Sequence, residues 1–325
     1  MRAVICRAYG EPETLEVGEL PKPAMKEDGV RIRVRAVGLN FPDILSVQGR
    51  YQWKYPFPFS PGMECAGDVI EVGPKATGVK VGDRVAAHPW TGCYAEEVVA
   101  PSALTFRMPD AMTYDQGAAF TLGYGTVHHG LFDRGELKRG ESLLVLGAAG
   151  GVGLNAVEVG KLAGARVIAA ASTPEKLALC REYGADELVN YRDEPLKDRI
   201  RALTGDKGVD VTFDPVGGEM TEAALRSTNW RGRVVIIGFA SGGIPKLPAN
   251  FALLRGASIV GSAYHTFCNR EPERARAAMA ELMGWCAEGK LRPHISFKFP
   301  LERYLEGLNA LRERRATGKV ILTVD

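Results

Sequence analysis

The 325-residue chain carries almost no net charge: 41 lysines and arginines stand against 39 aspartates and glutamates, a balance of +2. So small an excess, with no basic stripe, argues against nucleic acid or an anionic membrane surface as the main partner. Long apolar runs are missing too, and none approaches the length of a membrane span. Cysteine is scarce and scattered. The six, at 6, 65, 93, 180, 268 and 286, include no C-x-x-C pair and read as reduced, mostly buried thiols of a cytoplasmic protein. The five histidines, at 88, 128, 129, 265 and 294, show no metal-ligand spacing. There is no internal repeat and no low-complexity tract. The opening residues, MRAVICR, read as a strand and not as a signal peptide.

What the chain does have is glycine concentrated in one place. Residues 143–153 read LLVLGAAGGVG, an apolar run that breaks into a glycine-rich turn. An amphipathic segment, 154–165, and a second apolar run, 166–171, follow. Strand, turn, helix and strand in that order are how a dinucleotide is held. On the pattern G-x-G-x-x-G, Gly150 and Gly153 take the second and third places and Ala148 replaces the first. The backbone of Ala149, Gly150, Gly151 and Val152 would then approach a pyrophosphate, and Gly153 would let the helix pack close to the strand. The helix N-terminus offers unpaired N–H groups and a partial positive charge.

Which dinucleotide turns on the end of the second strand, where NAD-preferring proteins usually place Asp or Glu. Here Ala171 is followed by Ser172, Thr173, Pro174, Glu175 and Lys176. A carboxylate at the strand end would repel a 2′-phosphate, whereas Ser172 and Lys176 can hydrogen-bond and neutralise one. The expected cofactor is NADPH. Glu175, at the second position of the next helix, is assigned to the helix dipole.

The first third is β-rich. Residues 31–37 alternate charged and apolar, and 66–73 and 84–87 are further short strands punctuated by Gly and Pro, as in a compact irregular barrel. Residues 118–131 read as a helix leading into the nucleotide domain. Strands are expected at 142–146, 166–171, 187–190, 210–213, 233–238 and 258–261, with helices such as 174–183 and 218–227 between them, making two mononucleotide-binding halves. A helix with Pro272 in its first turn runs through 274–286 and stops at Gly289. Residues 319–324 read as a strand that returns to the first domain. The expected class is therefore α/β: residues 1–118 with 265–325 form a discontinuous β-barrel domain, and 119–264 a Rossmann doubly wound parallel-sheet domain.

Several segments carry a family resemblance: VGLNFPD at 37–43, PGMECAG at 61–67, VGDRV at 81–85, the turn at 148–153, NYR at 190–192, DPVGG at 214–218 and IGFASG at 237–242. With them the chain resembles, nearly end to end, the medium-chain dehydrogenase/reductase superfamily, and most of all its zinc-free NADPH:quinone oxidoreductase branch. The resemblance implies a GroES-like barrel for the first domain and a homodimer joined through the nucleotide-domain sheets. It also implies hydride transfer from NADPH to a small-molecule acceptor, a quinone or an activated alkene such as an enone. The zinc enzymes of this superfamily bind catalytic zinc through Cys, a His with a neighbouring Glu, and a further Cys or Asp. Here the first Cys position is Asn40 and the His position is Met63, and the cysteine quartet of the structural-zinc lobe is absent. A metal-free protein is expected. Without a Lewis acid, simple alcohol oxidation gives way to acceptors that take hydride readily, and the enzyme's work is mainly placement.

The resemblance also assigns roles. Asn40 would donate to the acceptor oxygen or touch the nicotinamide ribose, with Asp43 supporting it. Tyr51 stands where related enoyl-thioester reductases carry a proton-donating tyrosine. Thr126 belongs near the nicotinamide, and Tyr191 joins Ser172 and Lys176 around the 2′-phosphate. Val216, Gly238, Phe239 and Ala240 meet the cofactor at strand ends, Tyr264 lines the same region, and Arg314 and Lys319 are candidate basic contacts to the cofactor. His128 and His129 are adjacent on a helix, point in different directions, and read as packing residues. Two rival readings stay open: an enoyl-thioester reductase of the same fold, and an NADPH-binding protein with little catalysis.

Overall fold

The alternating run around 31–37 becomes the strand Gly29–Leu39, the longest in the chain and the spine of a seven-stranded sheet. A computed structural model describes residues 1–325, and they divide into two compact units: Met1–Leu122 with Glu271–Asp325, and Gly123–Arg270. In the first unit the sheet order is Ile295–Pro300, Lys319–Thr323, Gly29–Leu39, Glu64–Val72, Arg84–Ala87 and Thr105–Arg107. Glu97–Pro101 also pairs with Gly29–Leu39, along residues 29–33, while Lys319–Thr323 pairs antiparallel along residues 36–39. One long strand therefore serves three neighbours. Its inward residues Val30, Ile32, Val34, Val37 and Leu39 are all buried in one apolar core with Val4, Val85 and Leu322. The C-terminal strand is thus part of the N-terminal unit.

The second unit is a parallel sheet of six strands: Ser142–Leu146, Arg166–Ala171, Glu187–Asn190, Val209–Asp214, Thr228–Ile236 and Ser258–Gly261. Numbered in chain order, they lie in the spatial order 3-2-1-4-5-6, the doubly wound arrangement whose ligand crevice opens at the carboxyl ends beside strands 1 and 4. Strand 1 is apolar on both faces, as a strand covered by helices must be. At the far edge, Ser258–Gly261 pairs on one side only, with Thr228–Ile236. Ile259 there is exposed, as are Trp230, Ile244, Leu253 and Leu254.

Two expectations need correction. The helix read across 118–131 is three pieces, Tyr114–Ala118, Thr121–His128 and a π-helical turn His129–Arg134. The break follows a capping box at Thr113 and Gln116 that encloses only a short first helix. The first glycine of the nucleotide turn is Gly147, not a position lost to Ala148: Gly147 has φ +58°, and a Cβ there would lie 3.0 Å from the Val216 side chain. The spacing is G-x-x-G-x-x-G over 147–153. Gly153 is fixed by packing, since a Cβ would lie 2.2 Å from the Gly147 carbonyl oxygen and 2.9 Å from Ala148 Cα. At Gly150 the nearest atom to a Cβ is that same carbonyl at 3.3 Å.

The fold therefore needs Gly153 for its own packing and Gly150 much less. Gly153→Ala is expected to destabilise the protein by about 2–4 kcal/mol, because helix and strand must separate. Gly150→Ala is expected to cost about 1 kcal/mol or less. Urea unfolding of the two variants checks the contrast, and equal losses would refute it.

Candidate active site

Asn40 stands where the strand Gly29–Leu39 gives way to the helix Phe41–Val47, as the helix N-cap. Its backbone N–H donates to Asp43 Oδ2 at 2.8 Å, and the Tyr94 hydroxyl donates to the same oxygen at 3.0 Å. Asp43 is 1% exposed, and its second oxygen, Oδ1, has no partner. Burial lifts the Asp43 carboxyl to about 7, against the lowering effect of the Asn40 and Tyr94 bonds and the Lys319 charge.

The Asn40 side chain belongs to a second cluster. Lys319, 3% exposed, donates to Glu64 Oε1 at 2.6 Å, Asn40 Oδ1 at 2.7 Å and the Leu39 carbonyl at 3.1 Å. Those three bonds use all three protons of the ammonium. Glu64, fully buried, also accepts from Asn40 Nδ2 at 3.1 Å, the Thr121 hydroxyl at 3.2 Å and the Leu122 N–H at 2.9 Å. Asn40 Nδ2 gives its other proton to the Gly38 carbonyl at 3.1 Å. Two expectations change here. Lys319 has no proton left for a cofactor. Asn40 has none left for an acceptor oxygen, so its remaining capacity is that of an acceptor. Arg314 does not join this cluster: it is exposed, in a left-handed turn just past the helix Tyr304–Arg312.

Tyr51 is half-buried, and its hydroxyl has no partner in the chain. Burial, and secondarily the Asp43 charge, push its phenol up to about 12, so it stays protonated across the physiological range.

In the second unit the predicted residues gather at the carboxyl ends of the strands. The helix Gly151–Leu162 starts at Gly150 with no side-chain cap, so its first N–H groups are left for a ligand. Val216 packs its side chain toward Gly147. It is held there by Asp214, whose Oδ1 accepts from the Val216 N–H at 2.8 Å and the Gly217 N–H at 3.0 Å. Ala240 and Ser241 N–H groups bond back to the Pro215 and Val216 carbonyls, which seats Gly238, Phe239 and Ala240 beside that turn. Ser172 directly follows the second strand, and Lys176 lies in the first turn of the helix Pro174–Glu182, its N–H on the Thr173 hydroxyl. Tyr191 follows the third strand with its N–H on the Ala171 carbonyl, so Ser172 and Tyr191 leave neighbouring strand ends. Glu175 is held below the usual carboxylate range by its own N–H and the Thr173 hydroxyl, in keeping with a helix-terminus role. Thr126 and Tyr264 are both buried, and a Cβ on Gly125 would lie 2.1 Å from the Tyr264 hydroxyl, so the ring sits against the helix that carries Thr126. His129 stacks on Phe267 at 4.2 Å with its Nδ1 3.1 Å from the Asp133 carboxylate, and His128 meets Phe132 edge-on at 4.9 Å.

Sequence reasoning missed Glu64, Asp214 and Gly147. Glu64 and Asp214 lay inside the quoted motifs PGMECAG and DPVGG, and Gly147 was signalled by three-residue glycine spacing.

Known proteins with the same features are numerous. A family described as alcohol dehydrogenase GroES-like domain matches residues 26–110, and one described as zinc-binding dehydrogenase matches 151–284. Both agree with the fold class expected from the sequence. The chain is 36% identical over 324 residues to the quinone oxidoreductase-like protein 2 homolog of Nematostella vectensis, covering 99% of the chain and 88% of the relative. It is 32% identical over 339 residues to the human synaptic vesicle membrane protein VAT-1 homolog, covering 99% of the chain and 86% of that protein. Among solved structures, Escherichia coli quinone oxidoreductase complexed with NADPH superposes with a TM-score of 0.92 at 28% identity over 100% of both chains. Mycobacterial Rv1454c complexed with NADPH gives 0.93 at 31% identity, again over 100% of both. The zinc that one family description names does not suit the residues here: an amide whose two protons are given away and whose oxygen already accepts from an ammonium, a buried thioether at Met63, and a carboxylate paired with that same ammonium.

The buried Asp43 carries a pH signature. An unfolded aspartate loses its proton near pH 4, whereas the folded one keeps it to about 7. Its contribution to stability is therefore full below about pH 4 and is lost as pH rises toward 7. Asp43→Asn keeps an acceptor for Asn40 and Tyr94 but cannot ionise. Relative to wild type, the variant should gain about 2–4 kcal/mol between pH 4 and pH 8. Chemical denaturation at both pH values measures this, and a pH-independent difference would contradict it.

Proposed function

The chain belongs to the quinone oxidoreductase branch of the medium-chain dehydrogenase/reductase superfamily, and we propose that it is a zinc-independent, NADPH-dependent reductase of quinones or enones. The observation that carries the proposal is the uncapped helix behind the turn 147–153, at the carboxyl ends of a sheet ordered 3-2-1-4-5-6. NADPH, when bound, supplies the hydride, and the acceptor takes one proton to complete its reduction. The N–H groups at the start of the helix Gly151–Leu162 would bind the pyrophosphate. Val216 and Gly238–Ala240 would supply backbone contacts at the nicotinamide half. Ser172, Lys176 and Tyr191 would surround the 2′-phosphate, where no carboxylate repels it.

A second reading has one specific observation in its favour. Tyr51 presents a half-buried phenol whose proton is not engaged within the chain and would be available for transfer in an enoyl-thioester reductase, although burial makes it a weaker acid than a free phenol. We also read the exposed edge at Ser258–Gly261 as the seam of a homodimer. Ile259→Lys should then sediment as a monomer while wild type sediments as a dimer, and two identical masses would discard that seam.

The decisive assay is NADPH oxidation by the chelator-treated protein with a para-quinone, an ortho-quinone, a medium-chain enone and an enoyl thioester. Turnover with quinone or enone is expected. NADPH should be preferred over NADH, and Lys176→Ala should lower that preference about tenfold. Turnover with the thioester alone, abolished in Tyr51→Phe, would establish the second reading. Tight NADPH binding with no turnover on any acceptor would overturn both.

A further inference from the structure

We propose that Lys319 is a positioning residue that locks the Asn40 side chain as a one-sided hydrogen-bond acceptor, so that a ligand group meeting Asn40 must be a donor such as a hydroxyl. The inference rests on the reading that Asn40 faces the ligand, and it narrows what Asn40 can do there.

An asparagine amide is ambiguous until its neighbours fix it. Here the neighbours leave one answer. The atom 2.7 Å from Lys319 Nζ must be the oxygen, because an ammonium has no lone pair to accept with. The nitrogen then faces two acceptors, the Gly38 carbonyl and Glu64 Oε1, each at 3.1 Å. Glu64 is itself immobile, held by Lys319, the Thr121 hydroxyl and the Leu122 N–H. The backbone is held as well, by Asp43 on the Asn40 N–H. Turning the amide over would set its NH2 against the ammonium and its oxygen against a carboxylate and a carbonyl, so every one of these contacts would become repulsive.

The chemical consequence is specific. Asn40 cannot polarise a ketone or quinone oxygen, since both its N–H bonds point inward. It offers only the second lone pair of Oδ1. That lone pair suits a ribose hydroxyl or the O–H of a reduced acceptor. An activating hydrogen bond to the acceptor's oxygen must come from another donor.

Lys319→Met alone leaves Glu64 buried without a counter-ion and is expected to be unstable. The test is therefore the pair Lys319→Met with Glu64→Gln, which removes both charges. Two readouts are taken on the whole protein: hydrogen exchange of the Asn40 side-chain NH2 in asparagine-labelled protein by NMR, and kcat and KM with the best acceptor of the panel. In wild type the Asn40 NH2 should be protected. In the double variant the melting temperature should recover relative to Lys319→Met, exchange should quicken at least about tenfold, and kcat/KM should fall about tenfold. A double variant with restored stability and wild-type exchange and kinetics would overturn the proposal, because the ion pair would then be structural only. So would an unprotected Asn40 NH2 in wild type. If wild type reduces no acceptor yet its Asn40 NH2 is protected and the double variant's is not, the positioning role stands and the reductase reading falls.

Discussion

The ion pair between Lys319 and Glu64 joins residues 255 positions apart and lies wholly inside the barrel unit. Burying two charges costs several kcal/mol each, and their attraction offsets that only when every remaining proton and lone pair is also satisfied. The condition is met here. The ammonium has three acceptors and the carboxylate has four donors. Satisfying it requires the strand Lys319–Thr323 to lie along residues 36–39 and the segment at Thr121 and Leu122 to close over Glu64. The discontinuity of the unit follows from this arrangement. The last strand supplies the cation for a carboxylate carried by an early strand, and the residue between them, Asn40, takes its orientation from both.

The nucleotide-type unit solves a different problem with backbone alone. Its turn is shaped by two glycines needed for steric reasons, Gly147 and Gly153, and by a buried aspartate, Asp214, which bonds the N–H groups of Val216 and Gly217 and the Thr221 hydroxyl. Asp214 fixes the crossover after the fourth strand so that Val216 meets Gly147 and the 238–240 segment closes beside it. What stays open is the first turn of the helix Gly151–Leu162, whose donors have no side chain over them. The fold satisfies its own groups around a place where it leaves N–H groups unsatisfied, which is the condition for holding an anion there.

Where the sequence was readable, a local rule was enough. The strands Ser142–Leu146, Arg166–Ala171, Glu187–Asn190 and Ser258–Gly261 occupy the spans expected of them, because short apolar runs bounded by turn residues have few alternatives. The fifth strand begins five residues before the expected 233. Asn229, Trp230, Arg231 and Gly232 look like a turn, but the sheet absorbs them through a register shift, with Arg231 at φ +60°. The candidate site was only half legible for a related reason. Glycine spacing and strand ends are local and pointed to the turn. The state of Asn40 depends on a lysine 279 positions away, and no pattern near residue 40 announces that partner. Read singly, Asn40 was a donor to the acceptor or a ribose contact and Lys319 a cofactor contact; the cluster they share takes up the protons of both and cancels all of these but the ribose contact.

That cancellation bears on the proposed metal independence. A zinc ion needs three protein ligands and an open fourth position. Supplying thiolate at residue 40 and imidazole at residue 63 would not be sufficient here, because the Lys319 ammonium already holds Glu64 and the side chain at residue 40. A dication beside that ammonium would be repelled by it. Removing the lysine first would strand Glu64 without a counter-ion in a site with no exposure to water. Internal ammonium and bound dication are therefore alternative ways to neutralise the same buried carboxylate, and no single substitution leads from one to the other without an unpaired charge between. If the protein works without metal, as proposed, the C-terminal strand contributes to that through Lys319, alongside Asn40 and Met63 at the ligand positions.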